Sequence, residues 1–259
     1  MKKIKYLSIL LALIITPLFS MQASASTFDH SHSAYTELLS KYIIDGRVDY
    51  ESFMDSKADL VAYLDDLASV SKDDFETWEK DQKISFWINL YNAHTIRLIL
   101  NSHPVRNIRG IGIPLLGPWA ISGIKVFEGK KISLDYIEHK TLRRKYKDPR
   151  FHFALVCAAK SCPPLRYEAY TSDKLDEQLT DQGRWFMSEP KKNRLDTDKK
   201  KMYLSKIMSW YRGDFPSGSE AMIEYMWQFF DPKLTADQNP ADYSIRHTHY
   251  DWSINKVNS

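Results

Sequence analysis

Both cysteines of the chain lie in one short segment that carries other side chains capable of chemistry. Cys157 and Cys162 are separated by the residues Ala-Ala-Lys-Ser, and His152 precedes them. A neighbouring ammonium group, here that of Lys160, can lower the pKa of a thiol and so raise its reactive thiolate fraction. Cys162 is therefore a candidate nucleophile, and His152 is a candidate for the base that takes its proton.

The same cysteine spacing permits a second interpretation, which is a disulfide. The spacing C-x4-C matches neither the redox C-x-x-C motif nor a four-ligand zinc motif. As the end of an apolar strand over residues 151–157, Cys157 would face the core, whereas Cys162 lies in a loop that Pro163 holds extended. A bridge requires the loop to bring the two α-carbons to about 6 Å. A reactive Cys162 and a Cys157–Cys162 disulfide both stay open.

Two asparagines, Asn89 and Asn92, lie three residues apart in a predicted helix and therefore share a face. Asparagine is unfavourable inside a helix because its side chain competes for backbone hydrogen bonds. One interpretation is structural: the two amides bond the backbone of a neighbouring loop. The other is catalytic: one amide orients a histidine or donates to a developing oxyanion.

A second polar group, Glu138 and His139, lies on a short predicted helix, with Arg143 four residues after the histidine. These three residues can form a buried ionic network that holds the helix in place. A histidine beside a carboxylate is also how a general base is oriented, so Glu138 and His139 are candidate catalytic residues.

Near the chain end, His247, His249 and Asp251 alternate along a predicted strand and would face the same way. Two imidazoles and a carboxylate in a row are weak candidates for Zn²⁺ or Cu²⁺ ligands. An exposed terminal strand accounts for the same pattern without a metal.

Hydrophobic periodicity and turn signals predict the elements that position these residues. Helices are predicted over residues 32–44, 57–67, 73–100 and 134–144, from about 172 onward, and over 221–230. Strands are predicted over residues 124–127, 131–133, 151–157, 194–196, 201–204 and 243–252. Helices come first and strands do not alternate regularly with them. The order favours an α+β fold, with a helical N-terminal half packed on a small, mainly antiparallel sheet.

The first 25 residues have the pattern of a secretory signal peptide. Three lysines precede an apolar run over residues 6–19, and Ala23-Ser24-Ala25 supplies the small residues of a cleavage site. The sequence therefore predicts a periplasmic or secreted protein, with no transmembrane segment after cleavage and one domain over residues 26–259. An uncleaved signal anchor is the alternative.

Charge excludes one class of partner. The chain has 36 basic and 33 acidic residues, and the three signal lysines account for the difference. A mature chain with no formal net charge, and with no basic run interleaved with aromatics, is not predicted to bind nucleic acid.

Five motifs in order identify a resemblance, over about residues 34–255, to the family catalogued as domain of unknown function 547. The motifs are Phe86-Trp-Ile-Asn-Leu-Tyr-Asn-Ala93, Leu134-Asp-Tyr-Ile-Glu-His139, Asp148-Pro-Arg-Phe-His-Phe-Ala-Leu-Val-Cys157, Ser161-Cys-Pro-Pro-Leu165 and Tyr250-Asp-Trp-Ser-Ile-Asn255. Members are widespread in bacteria and the domain occurs in plant proteins. The resemblance implies no established reaction and no cofactor. His247 and His249 are not part of the family pattern.

Two functions from different classes follow from these residues. The first is a cysteine-dependent hydrolase or acyl transferase of the cell envelope, in which Cys162 attacks a carbonyl and His139 or His152 acts as base. A long helix before an antiparallel sheet suggests a papain- or transglutaminase-like core by fold-level analogy. The second is a non-catalytic envelope module, with a structural disulfide, that binds a peptide, a glycan or a protein.

Overall fold

The computed structural model describes residues 28–112 and 117–257. The predicted signal peptide, residues 1–25, lies outside the described residues. The described chain is α+β, as predicted, because helices predominate and the strands form three small sheets. None of the described helices is both long enough and apolar enough to cross a membrane.

Helices occupy most of the chain before residue 103 and recur between the later strands. They are α1 Ser33–Tyr42, α2 Tyr50–Phe53, α3 Lys57–Ser69, α4 Lys72–Thr77, α5 Lys80–Ser102, a π-helix Tyr136–Tyr146, α6 Phe151–Ala154, α7 Leu175–Met187, α8 Lys206–Trp210, α9 Ser219–Trp227 and α10 Pro232–Thr235. Short 3₁₀ turns lie at Met54–Ser56, Ile108–Gly110, Arg212–Asp214 and Pro240–Asp242.

The single helix predicted over residues 73–100 is two helices, α4 and α5. The hydroxyl of Ser71 accepts the backbone N–H of Asp74 at 3.0 Å and caps α4. Trp78 is extended, and Glu79 and Gln82 then form a reciprocal capping box that starts α5. Two complete N-terminal caps within nine residues explain why the periodic pattern breaks here.

Helix α5 is the central element of the core. Its side chains are buried on every face from Ile84 to Ile96, as expected for a helix surrounded by other elements. Helix α3 and the π-helix pack against it. The polar residues of this stretch therefore need partners inside the protein.

The strands form three separate sheets rather than the one small sheet predicted. Strands β1 (Ile43–Ile44) and β2 (Arg47–Val48) are antiparallel, as are β3 (Ile124–Val126) and β4 (Lys130–Ile132). In the third sheet, β5 (Arg194–Asp196) pairs antiparallel with β6 (Lys201–Leu204), and β6 pairs parallel with β7 (Ser244–His247). The predicted hairpins at residues 124–133 and 194–204 are confirmed.

The strand predicted over residues 151–157 is wrong. Phe151–Ala154 is the short helix α6, followed by an extended segment that belongs to no sheet. The Asp148 carboxylate accepts the N–H of Arg150, and Leu155 donates its N–H to the carbonyl of Phe151, so the chain turns instead of extending. A short apolar run does not by itself distinguish a strand from a buried helix.

The C-terminal segment is docked along its length against the rest of the chain. Strand β7 ends at His247, short of the predicted 252, because the chain then leaves the sheet. Isolated bridges join Ser253 to Asn107, Ile254 to Ala159 and Lys256 to Val48. This segment places Tyr250 and Trp252 beside the cysteine loop.

Candidate functional site

The two asparagines of α5 hold loops to the core helix. Asn89 donates from Nδ2 to the carbonyl of Tyr170 at 2.8 Å and accepts that residue's N–H at 3.0 Å. Asn92 donates to the carbonyl of Ala154 at 3.0 Å and accepts the N–H of Val156 at 2.9 Å. Each amide therefore supplies the donor and the acceptor that a neighbouring strand would otherwise offer to the extended segment. Each amide thus bonds backbone through its oxygen and one N–H, which supports the structural interpretation, and the catalytic assignment of the two asparagines stays a prediction.

The other four predicted site residues meet at one pocket of about 260 Å³. Asn89 and Asn92 do not line it. Six of its fourteen lining side chains are tryptophan or tyrosine, and the others are two acids, two histidines, two aliphatic residues and the two cysteines. The lining side chains are Tyr91, Trp119, Asp135, Glu138, His139, His152, Leu155, Cys157, Cys162, Ile207, Trp210, Tyr211, Tyr250 and Trp252.

Glu138 supplies a buried carboxylate to this pocket. It lies on the π-helix, a rare element that is frequent at functional sites, and its residue is only 7% exposed. The hydroxyl of Tyr91 donates to Glu138 Oε2 at 3.2 Å. Burial, together with the charge of Glu138, raises the pKa values of Tyr91, Tyr211 and Tyr250 far above the ordinary range, so all three hydroxyls stay protonated.

His139 lies at the rim of the pocket and is part of a polar chain. Its Nδ1 lies 2.7 Å from Arg143 Nη1, so the ring accepts at Nδ1, and its Nε2 lies 3.7 Å from the Asp135 carboxylate. Its side chain is 37% exposed. Burial, reinforced by the charge of Glu138, raises the pKa of Asp135, and His139 opposes that rise.

His152 is held by a carboxylate that sequence patterns do not indicate. Its Nε2 lies 2.7 Å from Asp214 Oδ2, and Arg143 binds both oxygens of the same carboxylate. The ring stacks on Tyr211 with centroids 4.1 Å apart, and the Arg143 guanidinium lies 4.7 Å from the centroid of that tyrosine ring. These contacts fix the orientation of His152 at the edge of the pocket.

Burial acts to raise the pKa of Asp214, but hydrogen bonds from His152 and Arg143 outweigh it and hold the pKa well below its usual range. Asp214 is therefore ionised at neutral pH and can orient a histidine.

Cys157 and Cys162 form a disulfide, with their α-carbons 6.2 Å apart. Cys162 is therefore no free thiol while the disulfide is closed, and its assignment as the nucleophile stays a prediction that requires prior reduction. The sequence predicted Cys157 as the core-facing cysteine. The structure shows the reverse, since Cys162 is 2% exposed whereas Cys157 is only partly buried. The hydroxyl of Tyr250 contacts both sulfurs, at 3.3 Å for Cys157 and 3.2 Å for Cys162.

Neighbouring backbone fixes the disulfide loop in position. Ser253 accepts the N–H of Lys160 at 2.7 Å, and Ala158 accepts the N–H of Asn255 at 3.0 Å. On the other side, Gly46 has φ of 73° and lies so close to Pro164 that a β-carbon would be 2.3 Å from that ring. Only glycine suits this position.

The C-terminal metal candidates do not form a ligand set. His247 ends β7, and Asp251 uses Oδ1 to accept the backbone N–H and the hydroxyl of Ser253. No group of three histidine, cysteine or acidic residues in the described ranges could hold a metal ion. His247, His249 and Asp251 instead line a wider groove of about 890 Å³ on the other side of the disulfide loop.

Comparison with known proteins supports the family resemblance. The model of the family described as "Protein of unknown function, DUF547" matches residues 75–187. The matched region includes α5, the π-helix and the disulfide loop, but not Asp214 or the aromatic residues at positions 210, 211, 250 and 252. Neither the search of curated proteins nor that of solved structures found a significant match.

Proposed function

We propose that this protein is an exported, non-catalytic binding module of the cell envelope, and that it holds its ligand in the aromatic pocket. The observation that carries the proposal is the pocket wall, in which six aromatic side chains surround a buried carboxylate while the cysteines beside them are bridged. Concave, mainly apolar sites with a few polar groups are typical of ligand pockets.

Trp210 gives the proposal its strongest local support. It is 49% exposed, although it is a large apolar residue, and it stacks on Trp252 with centroids 5.5 Å apart. Exposed, clustered aromatic surface in a soluble protein marks an interaction site. The signal-like N-terminus and the disulfide both fit an oxidising compartment outside the cytoplasm.

The test uses the oxidised mature protein and soluble cell-wall fragments, which contain both glycans and peptides, released by muramidase digestion. Binding is measured by titration calorimetry and by tryptophan fluorescence. We expect saturable binding that Trp210→Ala weakens about tenfold or more, because a stacked aromatic contact is lost. Tyr167→Ala, which removes a 59% exposed aromatic that does not line the pocket, is the control. Equal binding by wild type and Trp210→Ala would contradict the proposal.

A thiol hydrolase or acyl transferase is the second candidate, and one observation favours it: His152, with Asp214 behind it, lines the same pocket as both sulfurs. An external dithiol would first have to reduce the disulfide and be oxidised in turn. Cys162 would then pass its proton to His152 or His139, and its sulfur would bond the substrate carbonyl as the leaving group departs with a proton. Water would release the acyl group.

Hydrolysis of p-nitrophenyl acetate separates this candidate from the first. The enzyme hypothesis predicts turnover only after the disulfide is reduced, and it predicts loss of turnover in the Cys162→Ser and Asp214→Asn variants. Reduced wild type and reduced Cys162→Ser with equal rates would eliminate it.

A further inference from the structure

We infer that the aromatic pocket binds an organic ammonium group, either quaternary or the protonated amine of a sugar or peptide. The inference rests on the proposed binding function and names the class of ligand. Three observations carry it: the charge of the lining, its tryptophan and tyrosine side chains, and the size of the cavity.

Apart from the two histidines, which are charged only when protonated, the charged groups that line the pocket are acidic. Asp135 and Glu138 contribute carboxylates, and no lysine or arginine is among the lining residues. Two guanidinium groups lie beside lining aromatics without lining the pocket themselves. Arg143 is bound by both oxygens of Asp214, and Arg109 lies 5.3 Å from the centroid of the Trp252 ring. The buried Glu138 carboxylate would repel an anion and attract any ammonium group, and a protonated amine could also donate a charge-assisted hydrogen bond to it.

The aromatic wall suits the same kind of ligand. Trp119, Trp210 and Trp252 line the pocket with Tyr250, whose ring centroid lies 4.8 Å from that of Trp210 and 4.6 Å from that of Trp252. Tryptophan has the strongest cation–π attraction of the side chains, and aromatic cages of this composition bind quaternary ammonium groups. A neutral sugar could stack on the tryptophans but would leave the Glu138 charge without a counter-ion.

The volume limits what enters. About 260 Å³ lies just below the usual range for small-molecule sites, roughly 300–1,000 Å³. The pocket therefore holds one head group or one sugar ring, while the rest of a larger ligand stays outside.

The test compares cations with neutral molecules of the same shape. The probes are choline against 3,3-dimethylbutan-1-ol, in which carbon replaces nitrogen, and glucosamine against glucose, with glucuronate as the anion. Calorimetry on the oxidised protein should show at least about tenfold tighter binding of one cation than of its neutral isostere. Equal affinity within both pairs, preference for glucuronate, or no binding of either cation would overturn the inference.

Charge-neutralising variants locate the effect. Glu138→Gln keeps the shape of the side chain and should remove most of the difference in affinity between the cation and its neutral isostere. Glu224→Gln, on the exposed face of α9, should change neither. If Glu138→Gln does not fold, Asp135→Asn at the 43% exposed rim carboxylate replaces it and should lower the preference in the same direction.

The two proposals fail in different ways. Binding of cell-wall fragments that depends on Trp210 but shows no preference for a cation would overturn the ligand class and leave the binding function in place. If neither the fragments nor either cation binds to the pocket, both proposals fall.

Discussion

Buried polar residues occur both on helix α5 and in the lining of the pocket. The groups that they hydrogen-bond differ between the two regions. Asn89 and Asn92 use their amides on backbone groups, so these residues complete the hydrogen bonding of extended segments that have no strand neighbour. Glu138 has a tyrosine hydroxyl as partner and faces a cavity. A buried polar residue whose hydrogen bonds go to backbone groups stabilises the fold, whereas one that lines a cavity can bind a ligand.

The largest expected effect is on the α5 side of this comparison. Asn92→Ala leaves the buried carbonyl of Ala154 without its donor and the buried N–H of Val156 without its acceptor. The substitution should therefore lower the free energy of unfolding by about 1–3 kcal/mol. Urea denaturation measures it. Asn101→Ala, at an exposed position of the same helix, is the matched control. An unchanged midpoint for Asn92→Ala would show that the amide bonds are not formed.

The disulfide comes second. It closes a loop of only five residues, so the loss of unfolded-state entropy accounts for about 2 kcal/mol. Both Cys157→Ser and Cys162→Ser should lower the melting temperature, as should reduction of the wild type, and Cys162→Ser should do so more because Cys162 is the more buried. A fully stable Cys162→Ser variant would favour the reactive-thiol interpretation instead.

The smallest effect concerns Asp214 and depends on pH. Its depressed pKa stabilises the folded state above the unfolded carboxyl value of about 3.9, and this contribution is lost as the pH falls below it. The difference in stability between wild type and Asp214→Asn should therefore be full at pH 7 and shrink from about pH 5 toward pH 2. Urea midpoints across that range measure it, with exposed Asp198→Asn as the control. A constant difference would mean that the ion pair is not formed.

Sequence patterns predicted many of the helices and strands, but not every side-chain contact between distant residues. Helices α1 and α3 and the hairpin of β5 and β6 were predictable because periodicity and turn residues are local signals. The motifs also singled out Glu138, His139, His152 and Cys162, which line the pocket, but they singled out Asn89 and Asn92 as well, which do not. Asp214 could not be assigned to His152, because the two residues lie 62 positions apart and no local rule pairs them.

The roles of the polar residues were harder to predict than their positions. Asn92 and Glu138 are both polar residues in predicted helices, and hydrophobic periodicity does not distinguish their roles. What separates them is the neighbour across the fold, which is a backbone segment for Asn92 and a cavity for Glu138. That neighbour depends on tertiary packing, and the apolar run at residues 151–157 was misassigned for the same reason.

The central claim about the state of the chain, that it is exported and carries a closed disulfide, is tested most directly by intact-mass analysis. The protein is taken from the periplasm or the medium and alkylated under denaturing conditions, once without and once with prior reduction. The account predicts a chain beginning near Ser26 that carries no alkyl group before reduction and one on each of its two cysteines afterwards. Alkyl groups on both cysteines without reduction, or a full-length chain retained in the cytoplasm, would contradict it.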